Sequence, residues 1–192
     1  KLVEHSHNIV ALLDFDVTDL RRYLREERIK GAGGSLFAFI LKAIGKCLEE
    51  FPEFNSMINL KRTSYFEEVD INIPIETNVN GKLNPKQYLI KNINKKRLEE
   101  VDEEIRMSKN AKTDEQGYVF SKPLLRILDV LPRSLVIFLF NSMLRKHETV
   151  KRLSGTVFVT SVSMFSNISG YIIPYIGGPK AVSFAVGSVS KK

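Results

Sequence analysis

The chain lacks several features that define common protein classes. It has a single cysteine, Cys47, so an intramolecular disulfide and a cysteine-rich metal site are excluded. No His, Cys, Asp or Glu residues recur at the spacing typical of metal ligands, and no metal is expected. The chain opens with KLVEHSHN rather than with an apolar run, so it shows no secretory signal. A cytoplasmic location is the resulting expectation.

A long uninterrupted apolar run is also missing. Residues 123–144 read PLLRILDVLPRSLVIFLFNSML, and Arg126, Asp129, Pro132 and Arg133 interrupt the first half. A membrane span needs about 20 apolar residues. We therefore predict two short helices separated at Pro132. These helices would pack on the domain, line a cavity, bury an oligomer interface or lie on a membrane surface.

Acidic residues are outnumbered: 29 Lys and Arg against 22 Asp and Glu give a net charge of +7. An excess of this size suits nucleic acid, a membrane surface or a phosphate-bearing ligand, and it also suits a generic basic surface. Nucleic acid is disfavoured, because the chain carries no recognised binding motif and no aromatic-rich basic strand. With 192 residues, 43% of them hydrophobic, the chain can bury one sizeable core. A single domain is expected.

The clearest local pattern is an amphipathic helix in residues 36–56, LFAFILKAIGKCLEEFPEFNS. Ser35 is its predicted N-cap, and Pro52 predicts an end near Glu50 or Phe51. The spacing assigns two faces, an inward one of Leu36, Ile40, Ala43, Ile44, Cys47 and Leu48 and an outward one of Lys42, Lys46, Glu49 and Glu50. This assignment makes Cys47 a packing residue rather than a reactive thiol.

Strand and helix patterns alternate along the remaining chain. Strands are predicted at Ile9–Val17, Ser64–Phe66, Val69–Glu76, Lys82–Ile90, Gly155–Ser163 and Lys180–Ser190. Asn80-Gly81 predicts a tight turn. Thr18 and Asn94 are predicted to cap two further helices, and HETVKR (147–152) is expected to be a link. The alternation predicts one mixed sheet covered by helices.

Four blocks, in chain order, resemble the catalytic domain of the dihydrolipoamide acyltransferases, the core subunits of the 2-oxo-acid dehydrogenase complexes. They are DFDVTDLRRYLRE (14–26), FILKAIGKCLEEFPEFNS (39–56), VDINIPIET with LIKNINKKRLEEVDEEIR, and GTVFVTSVSMFS (155–166) with PKAVSFAVGSVSKK (179–192). The resemblance implies an α/β fold, a two-layer sandwich with a mixed β-sheet, of the coenzyme A-dependent acyltransferase (chloramphenicol acetyltransferase-like) type. It makes residues 1–192 a single catalytic domain.

Two departures from the family pattern shape the expectations. Residues 107–154 form an apolar helical insertion that is most similar to free-standing relatives without a lipoyl domain. The family's catalytic motif, His-x-x-x-Asp-Gly, is absent, so the domain is expected either to lack its C-terminal end or to have lost its base. His5, His7 and His147 do not match the motif and are predicted to be surface residues.

In the resembled family a histidine removes the proton from the thiol of coenzyme A or dihydrolipoamide, and the thiolate attacks an acyl thioester. A hydroxyl on the GTVFVTSVS strand stabilises the oxyanion. Thr160 matches that position best, Ser161 is the alternate, and an ordinary strand role for both stays open.

The resemblance therefore implies an acyltransferase with coenzyme A as a substrate and an acceptor that is dihydrolipoamide or another small thiol, amine or hydroxyl. It also implies a homotrimer or a higher oligomer built from trimers, with a lipoylated partner as an option. Contact of residues 123–144 with a membrane surface is a further, less favoured option. The alternative function is a non-catalytic scaffold or binding protein that has lost the catalytic histidine.

Overall fold

The computed structural model describes residues 9–59, 62–79, 82–110, 131–144, 146–161, 173 and 179–189. The helices are α1 (Thr18–Ile29), α2 (Leu36–Glu50), α3 (Leu98–Asn110), α4 (Arg133–Leu144) and α5 (His147–Ser154). The strands are β1 (Ser56–Asn59), β2 (Arg62–Tyr65), β3 (Ile71–Val79), β4 (Lys82–Ile90), β5 (Val157–Ser161) and β6 (Ser183–Val186).

A four-stranded mixed sheet organises these elements in the order β4-β3-β5-β6. β3 and β4 are antiparallel, and Val79 pairs with Lys82 beside the predicted Asn80-Gly81 turn, whose own residues lie outside the described part. β5 runs parallel to both β3 and β6. β1 and β2 form a separate antiparallel pair, which meets the chain before β6 through a bridge between Met57 and Lys180.

Helices α2 and α3 cover one face of the sheet. Strict alternation places Ile71, Ile73 and Ile75 of β3 in the core. They are joined there by buried side chains of both helices and of β5, including Leu41, Leu48, Val101, Ile105, Val157 and Val159. Burying one such aliphatic side chain stabilises a fold by roughly 1.5–3 kcal/mol. The predicted two-layer α/β sandwich is confirmed.

Helix α2 starts and ends where the sequence predicts, but its buried face is rotated. The Ser35 hydroxyl accepts a hydrogen bond from the Ala38 amide at 3.2 Å, and the helix ends at Glu50. The buried residues are Ala38, Leu41, Gly45 and Leu48. Ala43 and Cys47 are exposed, so the prediction of Cys47 as a packing residue is wrong. A Cβ on Gly45 would lie 2.7 Å from Ile93 Cγ2, so this glycine sets the helix face that approaches the core.

Lys42 also departs from its predicted outward position. Its Nζ donates to the carbonyls of Ile93 and Asn94 at 3.0 and 2.9 Å. Burial lowers the pKa of this lysine. Lys42 therefore joins α2 to the segment between β4 and α3.

Both predicted helix caps outside α2 are wrong. Asn94 is buried and serves tertiary contacts, since its Oδ1 accepts from the Val69 amide and its Nδ2 donates to Glu49. Thr18 is the first residue of α1 rather than its cap, and its amide donates to Asp16 Oδ1 at 2.9 Å. A tertiary contact decides the role of Asn94, whereas Thr18 makes a local contact with Asp16.

The predicted first strand, Ile9–Val17, is irregular in the structure. Its apolar side chains are open to solvent, with Ile9 94%, Leu13 70% and Phe15 77% exposed. A strand needs a neighbouring strand for its backbone hydrogen bonds, and the described part of the chain offers none to this segment.

Of the predicted insertion 107–154, residues 107–110 form the end of α3, and the described part resumes at residue 131. Helix α4 begins directly after Pro132, as predicted, and the first of the two predicted helices lies outside the described residues. The expected HETVKR link is instead part of helix α5. No helix in the ranges given above combines the length and the apolar character needed to cross a membrane.

Candidate functional site

The two predicted site residues occupy the carboxyl end of β5 and point to opposite faces of the sheet. Along β5 the side chains of Val157, Val159 and Ser161 are buried, while Phe158 and Thr160 are half-buried. Val157 and Val159 belong to the core under α2 and α3, so alternation places Ser161 on the same, helix-covered face. Thr160 lies on the opposite face. The structure therefore places the two candidate oxyanion residues on different faces of the sheet.

A polar pair shares the face of Thr160. The register sets Asn72 of β3 beside Phe158, one position before Thr160 along this face. Asn72 Nδ2 donates to Gln87 Oε1 at 2.8 Å, whereas Asn72 Oδ1 is buried without a hydrogen-bond partner. A buried acceptor without a donor is uncommon in folded proteins and costs about 1–3 kcal/mol. This face thus carries a hydroxyl and a buried amide carbonyl without a hydrogen-bond partner, and sequence reasoning missed the second group.

The end of the sheet at which Thr160 lies is also favourable for binding. β3, β5 and β6 run in the same direction; β5 and β6 end side by side at Ser161 and Val186, and β3 continues past them to Val79. In sheets with parallel strands, ligands bind outside these ends. A hydroxyl there can donate to a developing oxyanion if the reacting carbonyl sits on the face away from the helices.

A charged cleft of about 430 Å³ lies at the opposite, amino end of β3 and β5. Its lining residues are Glu68, Asp70, Lys91, Asn92, Glu148, Thr149, Lys151 and Arg152. Burial raises the pKa of Asp70, whose Oδ1 accepts from the Asn92 amide at 2.9 Å. Because acidic and basic side chains are mixed, the cleft does not favour one sign of ligand charge. It is separate from the predicted oxyanion residues.

An ion pair forms one wall of this cleft. Lys151 Nζ lies 2.7 Å from Glu68 Oε2 and 5.2 Å from the centre of the Phe66 ring. Burial is the largest single effect and lowers the pKa of Lys151, but the hydrogen bond to Glu68 and the charges of Asp70, Glu68 and Glu148 together outweigh it, so the pKa of the lysine is raised. The same bond lowers the pKa of Glu68. The pair ties α5 to the segment that leads into β3.

His147 is buried, so its prediction as a surface residue is wrong. Its ring Nδ1 lies 2.7 Å from the Ser64 hydroxyl of β2, and its side chain is 8% exposed. The ring Nε2 is buried without a hydrogen-bond partner. His147 therefore fastens α5 to the β1–β2 pair, and it lies on the helix that leads into the amino end of β5, away from Thr160. His5 and His7 lie outside the described residues.

Lys180 is a buried lysine that sequence analysis did not single out. Burial lowers its pKa to about 8. Its Nζ donates to the Ser154 carbonyl at the end of α5. The lysine thus links the chain before β6 to α5. Within the described ranges, no three His, Cys, Asp or Glu side chains are grouped to hold a metal ion.

Comparisons with known proteins cover most of the chain. The family model for the 2-oxoacid dehydrogenases acyltransferase (catalytic domain) matches residues 5–116. The dihydrolipoyllysine-residue acetyltransferase component of the pyruvate dehydrogenase complex from Haemophilus influenzae is 33% identical over 121 residues, which cover 55% of this chain and 21% of the relative. The chain therefore spans about a fifth of the length of this curated relative.

Solved structures show the same fold. The cubic core of a pyruvate dehydrogenase multienzyme complex superposes with a TM-score of 0.54 at 16% identity, covering 86% of this chain and 56% of that one. A probable dihydrolipoamide acetyltransferase from Listeria monocytogenes gives a TM-score of 0.53 at 23% identity, covering 92% of this chain and 62% of that one. The Azotobacter vinelandii dihydrolipoamide acetyltransferase, investigated for the catalytic roles of a serine, a histidine and an asparagine, gives 0.52 at 15% identity, with 86% and 56% covered.

Proposed function

The chain belongs to the 2-oxoacid dehydrogenase acyltransferase family, and we propose that it forms the core of an enzyme that transfers an acyl group between coenzyme A and an acceptor. The acceptor is dihydrolipoamide or another small thiol, amine or hydroxyl. The proposal depends most on one observation, the placement of Thr160 at the carboxyl end of β5 on the face free of α2 and α3.

Thr160 is the proposed oxyanion donor. Its hydroxyl would donate to the carbonyl oxygen of the acyl thioester as negative charge develops there. Ser161 is disfavoured for this role, because it shares the helix-covered face with Val157 and Val159. One preorganised donor contributes about 10²–10³ in rate.

The unpartnered Asn72 carbonyl suits an amide group in the thiol arm of the substrate. The thiol arm of coenzyme A carries an amide N–H group a few bonds from the sulfur, whereas the amide of dihydrolipoamide lies at the far end of its hydrocarbon chain. Asn72 Oδ1 lies on the face of Thr160 and lacks a donor. An amide N–H of the substrate arm would satisfy it and hold the thioester near Thr160.

The general base is proposed to come from outside the described residues. A base must reach the thiol directly or through one water molecule. His147 is held by Ser64 on the α5 side of the fold, so it does not meet this requirement for a substrate at Thr160. A histidine of the His-x-x-x-Asp-Gly type in the whole protein, or from a neighbouring subunit, would complete the site.

A trimer is the assembly that we propose. A pyruvate dehydrogenase core to which this chain is similar is a cubic assembly. The exposed apolar side chains of residues 9–15 offer a surface that a neighbouring subunit would bury. Light scattering at micromolar concentration tests the assembly, and a monomer would contradict it.

The activity is tested by single replacements in the complete protein, assayed with acetyl-coenzyme A and dihydrolipoamide. We expect Thr160→Ala to lower kcat by about 10²–10³ and Ser161→Ala to leave kcat nearly unchanged. Wild-type turnover in both variants would refute the oxyanion assignment. A complete protein that neither binds coenzyme A nor transfers its acyl group would leave the non-catalytic scaffold as the function.

A further inference from the structure

Helix α4 carries two apolar sides, although a helix on the surface of a protein needs only one. Val136 and Met143 are half-buried, and the helix contacts α5. Four further apolar side chains are open to solvent: Leu135 is 41% exposed, Ile137 56%, Phe138 67% and Leu139 45%. They spread over the wide arc of the helix away from Val136 and Met143, an arc that also carries the exposed Ser134, Asn141 and Ser142, and we call the four apolar residues the outer face of α4. A surface helix normally turns polar residues to water, so this face indicates a partner.

The charges around α4 indicate the chemistry of that partner. Residues 133–152 contain five Lys or Arg and one acidic residue, Glu148. Arg133 begins the helix and Lys146 follows it, and both are exposed. An apolar face between two cationic ends is complementary to an anionic lipid surface.

A second copy of the chain fits this face less well. If two α4 helices packed outer face to outer face, an antiparallel arrangement would bring Arg133 of one copy beside Lys146 of the other. A parallel arrangement would bring identical cations together. Either pairing sets like charges against each other, which opposes association.

The length of α4 excludes a spanning role for it. Twelve residues at about 1.5 Å rise reach about 18 Å, and the hydrocarbon core of a bilayer is about 30 Å thick. At a membrane, α4 would lie in the interface, with its outer apolar side chains between the acyl chains and its cationic ends at the headgroups. Its other side stays packed on the protein.

We propose that the outer face of α4 binds the surface of a membrane rich in anionic phospholipid. The proposal is independent of the acyl-transfer activity. It is tested by flotation of the complete protein with phosphatidylglycerol vesicles and with phosphatidylcholine vesicles.

We expect binding to the phosphatidylglycerol vesicles and a much weaker association with phosphatidylcholine. Phe138→Glu should lower the partition coefficient by at least about tenfold, since it removes a large apolar contact and adds a negative charge. The matched control is Phe54→Glu, which makes the same change at a residue that is 53% exposed and lies after α2. The control should bind nearly as the wild type does. Replacing Arg133 and Lys146 with Gln should cost roughly fivefold per charge at low salt.

Three results would overturn the proposal. The first is a wild-type protein that binds neither kind of vesicle. The second is equal binding by wild type and Phe138→Glu, which would attribute attachment to the general charge of the chain. The third is an oligomer that dissociates on Phe138→Glu in the absence of vesicle binding, which would assign the face to a second copy. Circular dichroism verifies folding, and Ile137→Glu replaces Phe138→Glu if the latter is unfolded.

Discussion

Helix α2 buries two leucines in the core, whereas helix α4 leaves four of its apolar residues in solvent. In α2 the side chains of Leu41 and Leu48 lie in the core. In α4 the side chains of Ile137 and Phe138 are more than half exposed. The two helices differ little in apolar content, so composition does not decide which one the sheet will bury. What decides is whether a complementary surface lies opposite, and α2 has one in β3 and the Ile93 segment.

The largest expected difference between the helices is in the effect of a leucine-to-alanine replacement. Leu41→Ala should lower the free energy of unfolding by about 2–5 kcal/mol, because it leaves a cavity in the core. Leu139→Ala should change it by less than about 0.5 kcal/mol in the absence of lipid, since this side chain is 45% exposed. Urea denaturation monitored by circular dichroism measures both. A loss of several kcal/mol for Leu139→Ala would show that another part of the same chain covers the outer face.

The next prediction concerns Gly45, which gives α2 its close approach to the core. Gly45→Ala should destabilise the protein by roughly 1–3 kcal/mol, because the new methyl group would meet Ile93 Cγ2 at 2.7 Å and the Asn94 amide at 3.4 Å. Helix propensity alone predicts the opposite, a gain of about 1 kcal/mol.

The reverse replacement at the exposed Ala43 provides the control for this prediction. Ala43→Gly should cost about 1 kcal/mol through helix propensity, with no change in packing. Both variants should therefore be less stable than the wild type in thermal unfolding. If Gly45→Ala were more stable, the core at this point would be looser than the structure shows.

Local features of α2 could be predicted from the sequence, and its orientation could not. The Ser35 cap and the stop before Pro52 depend on residues within one turn of the helix, so the pattern suffices. The buried face depends on what lies opposite. Glycine is not counted as an apolar residue when periodicity is assessed. The pattern therefore predicts a buried face through Ala43 and Cys47, whereas the helix buries Gly45.

The candidate site likewise has features that could be predicted from the sequence and features that could not. Alternation along GTVFVTSVS already puts Thr160 and Ser161 on opposite faces of a strand, but choosing between them requires knowing which face the helices cover. The unpartnered Asn72 carbonyl and the burial of His147 depend on β5 and β2, which are distant in sequence. No signal within the neighbourhood of either residue indicates them.

A smaller effect is expected at the N-cap of α2. Ser35→Ala removes the hydroxyl that accepts from the Ala38 amide, and should cost about 1 kcal/mol. The Ser35 amide would still donate to Asp102 Oδ1 at 2.8 Å, so the contact with α3 is retained. Ser35→Thr keeps the accepting oxygen and should remain close to wild type in urea denaturation. An equal loss in both variants would point to crowding at the site instead of capping.

The smallest effect is expected on the solvent side of α2, where Lys46 and Glu49 form an exposed ion pair of 2.6 Å. Lys46→Ala should barely move the urea midpoint, and 0.5 M salt should remove the change, because exposed pairs are screened by solvent and ions. Glu49→Ala should cost more than Lys46→Ala, since Glu49 also accepts from Nδ2 of the buried Asn94 at 3.1 Å. Both bonds lower the pKa of Glu49, that to Lys46 the more. A double-mutant cycle over the two positions isolates the pair itself, and a coupling that survived high salt would contradict the assignment of this side of α2 to solvent.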